Sequence, residues 1–326
     1  MTYSVGGLIE ASDYNTFVGN TTTGLNRVWS TGSADYGYGQ TSISTVSAPG
    51  QITATNWATL VNNLTTTAQH QNTTITSRTA PVTGNIVAIL ANVNTDITSV
   101  TGARGNAAST GAQVVTWSGS SAKTSGTGSG NSAWTITFTH TVTFPSADQA
   151  RYFFNAGGRI KWQCSKTSTG TVSDPEWNDL ATNLVGSIFI TGGTATQNIS
   201  GSNYTGTTKS GGTGTPSILD TTTGWYDLTG SPVTIYKQFA DTVPYTGQYI
   251  QLNASASATV LTLTTTWFDP GGSGVGSTDN ISGGTDTASP FSSFGTAPAT
   301  VVTFFYPSST YLSNTWGVPT VAASVA

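Results

Sequence analysis

The chain of 326 residues is long enough to bury a substantial core, yet only 7% of its residues are charged, against about 25% in ordinary soluble proteins. Its net charge is −4, and all ten lysines and arginines lie between Arg27 and Lys237, so no basic patch is available for nucleic acid. The single cysteine, Cys164, excludes an intrachain disulfide and any thiolate cluster for zinc or iron–sulfur.

The N-terminal segment indicates neither export nor membrane insertion. Residues Met1 to Gly7 have neither the basic stretch nor the apolar core of a signal peptide. Nowhere do about 18 apolar residues follow one another, as a membrane-spanning helix requires. We therefore expect synthesis in a cytoplasm and no membrane partner.

An internal repeat organises the first hundred residues. The segment Ile9–Val18 recurs as Ile52–Val61, shifted by 43 residues without a gap. Each copy begins with Ile-x-Ala-[Ser/Thr]-[Asp/Asn] and continues with an aromatic residue. We predict a helix in each copy, with Ser12 and Thr55 as N-cap residues.

A third helix is predicted between Pro81 and Gly102. Its apolar residues are spaced by four, three, four and three positions, as at the a and d positions of two coiled-coil heptads. They are Ile86, Leu90, Val93, Ile97 and Val100. Two interpretations stay open, a core helix of the same small domain and a trimeric helical seam, because coiled coils usually sustain about 3 to 4 heptads.

Apolar faces on these helices make residues 1–105 the predicted attachment and oligomerisation region. In the two copies of the repeat, aromatic and apolar side chains recur at helical spacing. Nine side chains form the predicted oligomer or docking interface. They are Tyr14, Phe17, Trp57, Leu60, Ile86, Leu90, Val93, Ile97 and Val100.

Residues 106–132 are predicted to form an exposed linker or hairpin. They are rich in Gly, Ser and Thr and lack periodicity, apart from a short strand at Val114–Trp117. The Gly-x-Gly-x-Gly run at Gly126–Gly130 has neither the strand-to-helix context nor the lysine of a phosphate-binding loop.

Residues 133–326 are typical of β-structure. In Trp134–Phe144, apolar residues alternate with threonine, except that His140 takes an apolar position. Further helices are predicted after Pro145 and at Asp174–Val185. Strands are predicted at 133–144, 158–165, 186–191, 232–239, 247–254, 258–268 and 299–306. The predicted fold is mainly β, an antiparallel sandwich or jelly-roll-like domain following a small helical attachment domain. We expect its aromatic C-terminal tail to lie on the sandwich or on another subunit.

Candidate catalytic residues are few. His70 and His140 are the only histidines; one ends a predicted helix and the other lies on the apolar face of a strand, so structural roles are expected. Cys164 lies on an apolar-rich strand and is expected to be a buried small residue rather than a nucleophile. No Gly-x-Ser-x-Gly motif is present.

Two groups of acids are candidates for metal or acid–base sites. Asp174, Glu176 and Asp179 lie at a predicted helix start, where carboxylates favour the positive end of the helix dipole, so capping explains them. The second group occupies a Gly-rich loop and matches no EF-hand or nonapeptide calcium pattern. Its members are Asp269, Asp279 and Asp286. We predict no catalytic residue, no cofactor and no metal.

Aromatic residues offer one further kind of site. Trp225, Tyr226, Tyr245 and Tyr249 are of the type that stacks on sugar rings. Core packing or subunit contacts are the competing explanation for such residues. Carbohydrate binding is therefore kept as an alternative.

Several motifs resemble those of one protein family. They are the Ile-x-Ala-x-[Asp/Asn]-aromatic repeat, Arg151–Gly158, Asn203–Thr207 and Tyr311–Gly317. Together they resemble virion structural proteins of tailed bacteriophages, notably contractile-tailed cyanophages. The resemblance implies a multi-copy particle component with a helical attachment part and a β-rich outer part, and it carries no catalytic signature.

The main functional hypothesis is a non-enzymatic structural component of a phage virion, tail-associated as a fibre, neck appendage or baseplate protein. We expect a homotrimer that docks to other virion proteins and is located in the virion after assembly in the host cytoplasm. Alternatives are a receptor- or carbohydrate-binding module, with a host surface glycan as partner, and a capsid-surface decoration protein. An enzyme such as a depolymerase would need paired acids on adjacent strands, and the predicted strands offer none.

Overall fold

The computed structural model describes residues 10–47, 50–84, 92–118, 134–168, 174–243, 245–270 and 298–326. Within these ranges the predicted fold class is confirmed: the chain is mainly β, with antiparallel sheets forming a sandwich and helices at the N-terminal end. The predicted sites at Gly126–Gly130, Asp279 and Asp286 lie outside the described residues.

The helices of the described ranges are short, apart from one of 18 residues. They are α1 (Ala11–Val18), α2 (Asn26–Trp29), α3 (Ala54–Gln71), α4 (Val93–Gly102), α5 (Ala147–Asn155) and α6 (Asp174–Asp179). A π-helical turn, Leu180–Leu184, continues α6, and a 3-10 turn forms at Trp225–Asp227. Among these helices, none is both long and apolar enough to cross a membrane.

The repeat forms equivalent helix starts at α1 and α3. Their N-cap residues are Glu10 and Thr53, which are 43 positions apart like the repeat itself. At the third helical position, Asp13 Oδ2 accepts from the Glu10 amide at 3.2 Å, and Asn56 Oδ1 accepts from the Thr53 amide at 2.9 Å. In both copies the side chain at the third helical position therefore bonds back to the N-cap amide. In α3 the Thr53 hydroxyl also accepts from the Asn56 amide at 3.2 Å, which completes a capping box.

The prediction of Ser12 and Thr55 as N-caps was wrong. Both residues lie inside the first turn and are exposed. A capping box needs an acid or amide side chain three positions after the N-cap residue. Asp13 and Asn56 stand only one position after the predicted caps, so they cannot serve as their partners.

The third predicted helix begins later than its apolar spacing indicated. Asn92 adopts a left-handed backbone with φ of 64°, so α4 starts at Val93. Residues 81–84 are not helical, and Ile86 and Leu90 lie outside the described residues. A single continuous helix from Pro81 to Gly102 is therefore not formed.

Thirteen strands are described, and they build two principal antiparallel sheets and a small third one. The strands are β1 (Thr110–Ser118), β2 (Trp134–Thr143), β3 (Arg159–Ser165), β4 (Ser187–Ile190), β5 (Gln197–Ile199), β6 (Ser202–Tyr204), β7 (Thr207–Ser210), β8 (Ile218–Leu219), β9 (Val233–Phe239), β10 (Tyr249–Ala256), β11 (Val260–Asp269), β12 (Ala299–Pro307) and β13 (Thr320–Val325). The five-stranded sheet has the order β1-β12-β3-β4-β7, and the six-stranded sheet has the order β13-β2-β11-β10-β9-β8. The third sheet pairs β5 with β6.

All seven strands predicted in the β-region are present. The short strands β5 to β8 and the terminal strand β13 were missed, because strands of two to four residues show no alternation to detect, and β13 consists mostly of small residues. β13 pairs with β2, so the C-terminal tail lies on the sandwich of its own chain.

The two principal sheets share one apolar core. His140 of β2 and Thr300 of β12 are fully buried and connect the sheets, with Nε2 and Oγ1 3.3 Å apart. Helix α5 connects β2 of one sheet to β3 of the other and brings Phe153 and Phe154 against Phe144. Two glycines, Gly157 and Gly158, follow the end of α5, and any Cβ on residue 158 would meet the Phe153 carbonyl oxygen at 2.5 Å.

The helical N-terminal part packs directly on the sandwich. Gln40 exchanges two hydrogen bonds with the Ser313 backbone, at 3.0 and 2.9 Å, and Thr315 Oγ1 donates to the Tyr38 carbonyl at 2.6 Å. Asn155 of α5 donates to the Gly37 carbonyl at 3.1 Å. The C-terminal tail therefore ties residues 37–40 to the β-region, and one continuous core runs through both parts.

Candidate functional site

The predicted interface side chains that the structure describes lie in the core of the helical part. Tyr14 and Phe17 both pack on Trp57, at ring-centroid distances of 5.3 and 6.1 Å. Seven of the nine are described, and none is more than 6% exposed. They are Tyr14, Phe17, Trp57, Leu60, Val93, Ile97 and Val100. In the folded chain these are core residues rather than surface residues, and a partner would reach them only if the helices separated.

The outer face of the six-stranded sheet is a broad, almost uncharged surface. We call its centre the threonine face: on β2 and β11, threonines stand opposite one another in register. Its members are Thr135, Thr137, Thr139, Thr141 and Thr143 on β2 and Thr262, Thr264 and Thr266 on β11. Across the described strands β2, β9, β10 and β11, the single charged side chain on this outer face is Lys237.

Polar and aromatic residues continue the threonine face towards β9. Asn253 Oδ1 accepts hydrogen bonds of 2.9 Å from both Gln251 and Thr234. At one end, Tyr249 stacks on Phe268 with centroids 4.9 Å apart, and Lys237 Nζ lies 3.6 Å from the centre of the Tyr249 ring. The one cation is therefore held against an aromatic ring.

A cleft of about 450 Å³ opens between the helical part and the sandwich. Its walls come from the loop before residue 36, the end of α4, the Gly192–Gly193 turn and the 3-10 turn that carries Tyr226. The Tyr226 hydroxyl donates to Asn155 Oδ1 at 2.7 Å, and burial raises the pKa of Tyr226, so the hydroxyl stays neutral. Gly192 packs closely on this ring, because a Cβ there would lie 3.2 Å from the Tyr226 ring and would force a small shift.

The charged groups that line the cleft already have polar partners. Arg104 forms an ion pair with Asp35 and lies over the Tyr36 ring at 4.2 Å. The Asp227 carboxylate accepts from the Gly224 amide at 3.0 Å. By contrast, the buried Oε1 of Gln197 has no hydrogen-bond partner among the described residues. The cleft thus offers a neutral acceptor, a neutral hydroxyl and an aromatic ring, and no free acid–base pair.

Of the four aromatic residues that are candidates for sugar binding, two lie in the core and two lie at the surface. Trp225 is buried and stacks on Phe154 at 5.2 Å, and Tyr245 is buried as well. Tyr226 lines the cleft, and Tyr249 lies on the outer face of the six-stranded sheet.

The histidines and the cysteine are buried in separate places. His70 packs edge-on against Tyr38 at 5.1 Å and bonds to the Ala156 backbone, whereas His140 lies between the sheets. Burial lowers the pKa of both histidines to about 4. Cys164 donates to the Ala181 carbonyl at 3.4 Å, and burial raises its pKa, so it remains a thiol.

Two of the three acids predicted at the helix start meet another acid from a distant loop. Glu176 and Asp179 of α6 meet Asp241, which follows β9, and carboxylate oxygens of all three lie within 4.8 Å of one another. Asp269, the described member of the other acidic group, is buried and accepts from Gln248 at 3.0 Å. We call the first group the acidic cluster. Sequence reasoning missed Asp241, because nothing near it signals its approach to α6.

Comparison with known proteins gave no relative. No protein-family model matches the chain, and no match was found among curated proteins or solved structures.

Proposed function

We propose that the chain is a non-enzymatic structural component of a tailed-phage virion, tail-associated as a fibre, neck appendage or baseplate protein. It assembles with copies of itself, with a trimer as the expected state, and docks to other virion proteins. The proposal is supported by the motifs Arg151–Gly158, Asn203–Thr207 and Tyr311–Gly317, which resemble those of such proteins.

The observation that carries the proposal is the threonine face. Thr139 and Thr264 stand directly opposite each other at its centre, flanked along both strands by further threonines. A surface without like charges can lie against an identical copy without electrostatic repulsion, and β-branched side chains keep it rigid. Hydroxyl groups also supply donors and acceptors for hydrogen bonds to a symmetric partner.

Light scattering coupled to size-exclusion chromatography tests this function on the full chain. We expect a concentration-stable oligomer for the wild type and dissociation for Thr139→Lys, because each copy would bring a positive charge to the interface. Ser231→Lys is the matched control: it adds the same charge in an exposed loop before β9. A monomeric wild type, or an oligomer indifferent to Thr139→Lys, would count against assembly through this face.

The place in a particle is tested separately. A gold-labelled antibody raised against the purified chain should decorate the tail, neck or baseplate of intact particles of the source phage. Labelling confined to the capsid would favour a decoration protein instead. Absence of the chain from purified particles, measured by mass spectrometry, would contradict a virion role.

A second candidate, a carbohydrate-binding module, is favoured by the cleft. Tyr226 presents an aromatic ring beside neutral polar groups, the composition typical of sugar sites. On a glycan array, Thr194→Trp should abolish any signal by filling the exposed rim of the cleft, whereas Ser231→Trp should leave it unchanged. A wild type that binds no glycan removes this candidate without affecting the structural proposal.

A further inference from the structure

The acidic cluster joins two elements that are far apart in sequence. Glu176 and Asp179 lie on α6, and Asp241 lies in the connection between β9 and β10. Their carboxylate oxygens are mutually within 4.8 Å, so three like charges converge on one point. Such an arrangement is unfavourable unless something positive neutralises it.

No protein cation performs that role among the described residues. The ion pairs there join Arg78 to Asp96, Arg104 to Asp35, and Arg151 to Asp148, and none involves the acidic cluster. The contacts of the cluster are neutral instead. They are a 2.6 Å bond from Asn183 to Asp179 Oδ1, a 3.4 Å bond from Thr242 to Asp241 Oδ1, and bonds from Thr242 to Glu176.

Glu176 supplies the second observation. The residue is only 5% exposed, and within the part of the chain that the structure describes its buried Oε1 has no hydrogen-bond partner. An unpartnered carboxylate oxygen is costly to bury, and here it belongs to the group where the other two carboxylates converge. Asp179 is half-buried and Asp241 is exposed, so an ion can enter from solvent.

The protonation chemistry of Glu176 agrees with this geometry. Burial raises its pKa first, hydrogen bonds from Thr242 lower it, and the carboxylates of Asp179 and Asp241 raise it again. A proton and a metal ion are the two ways to neutralise the cluster. Only a metal ion can contact all three carboxylates at once.

We propose that Glu176, Asp179 and Asp241 form a binding site for a hard divalent cation, with Ca²⁺ as the preferred ion. All three ligands are carboxylates, which suit Ca²⁺ and Mg²⁺ and disfavour thiolate- or imidazole-seeking metals. Three side chains at a partly exposed site leave positions for water, which flexible Ca²⁺ coordination accepts. The bound ion cross-links α6 to the β9–β10 connection and stabilises the sandwich there.

Calorimetric titration of the EDTA-treated full chain with CaCl₂ tests the site, alongside thermal unfolding in CaCl₂, MgCl₂ and NaCl at equal ionic strength. We expect heat of binding and a rise in Tm with Ca²⁺ that NaCl does not reproduce. Asp241→Asn and Glu176→Gln should each weaken binding by more than about tenfold. Asp148→Asn, an exposed acid on another helix, is the control and should bind like the wild type.

Two outcomes would overturn the proposal. One is a wild type that shows neither heat nor a Tm shift at millimolar Ca²⁺. The other is a Ca²⁺-dependent Tm shift that survives unchanged in Asp241→Asn. Because Asp241 is exposed, its variant is expected to fold, and circular dichroism without Ca²⁺ verifies this. Terbium luminescence sensitised by Trp177, the neighbour of Glu176 in α6, gives an independent readout of occupancy.

Discussion

Tyr14 and Trp57 occupy the same position in the two copies of the repeat, and their rings meet edge to face with centroids 5.3 Å apart. The Tyr14 hydroxyl also donates to the Asn56 carbonyl at 3.3 Å. The two copies of the repeat thus pack against each other through the aromatic position that they share. This contact turns a sequence repeat into the core of the helical part.

Replacing Trp57 by Ala should destabilise the chain by about 3–5 kcal/mol, because a fully buried aromatic side chain is lost and a cavity remains. Urea denaturation measures the free energy of unfolding. Thr59→Ala, an exposed change on the same helix, is the control and should alter it by less than about 0.5 kcal/mol. If Trp57→Ala instead leaves stability intact and changes the oligomeric state, the residue belongs to an interface.

The capping box of α3 predicts unequal effects for two neighbouring residues. Asn56→Ala removes the acceptor for the Thr53 amide and should cost about 1 kcal/mol, whereas Thr55→Ala should cost little. Asn56→Asp should keep the stability of the wild type, since the Asp13 carboxylate accepts the equivalent bond in α1. Equal losses for the alanine variants at positions 55 and 56 would contradict the observed cap.

The buried histidines predict acid sensitivity. Each imidazole has a pKa lowered from 6.5 to about 4 in the folded chain, so the unfolded chain binds more protons between these values. Stability is complete above pH 6.5 and falls as the pH drops towards 4. The loss approaches about 3 kcal/mol for each histidine across this range.

Proton NMR checks this directly, because His70 and His140 are the only imidazoles in the chain. Their ring signals should not titrate in the folded protein between neutral pH and about pH 5. Urea denaturation over the same range should show the decline in stability. A titration midpoint near 6.5 for either signal would show that the imidazole is exposed to solvent.

Strand β13 is expected to protect the edge of β2 in the six-stranded sheet. β13 pairs with β2, and Ala326 exchanges hydrogen bonds of 2.8 and 2.9 Å with Thr137. Deleting residues 319–326 should expose the edge of β2, lower Tm and cause association beyond the wild-type state, measured by light scattering. Ser324→Thr keeps the pairing, adds no charge to the outer face and should do neither. Unchanged stability and size after deletion would mean that β13 contributes nothing.

Local pattern determined much of this protein. The alternation of Trp134–Phe144 gave a strand with a threonine side, and the repeat gave two helices with equivalent starts, because such periodicities are encoded within about ten residues. The N-cap residue of each helix was predicted two positions too late. The position of a cap depends on which side chain bonds back to the N-cap amide, and several hydroxyl, acid and amide side chains are neighbours in these segments.

Only the tertiary structure decided which side chains are buried and which converge at the surface. The apolar stripes of Tyr14, Trp57 and Ile97 suit a core or an interface equally well in sequence, and packing within the chain buries them. Likewise, Asp241 joins Glu176 and Asp179 only because β9 ends beside α6. Convergence of this kind depends on sheet register and on the path of the chain over long separations, which no local pattern encodes.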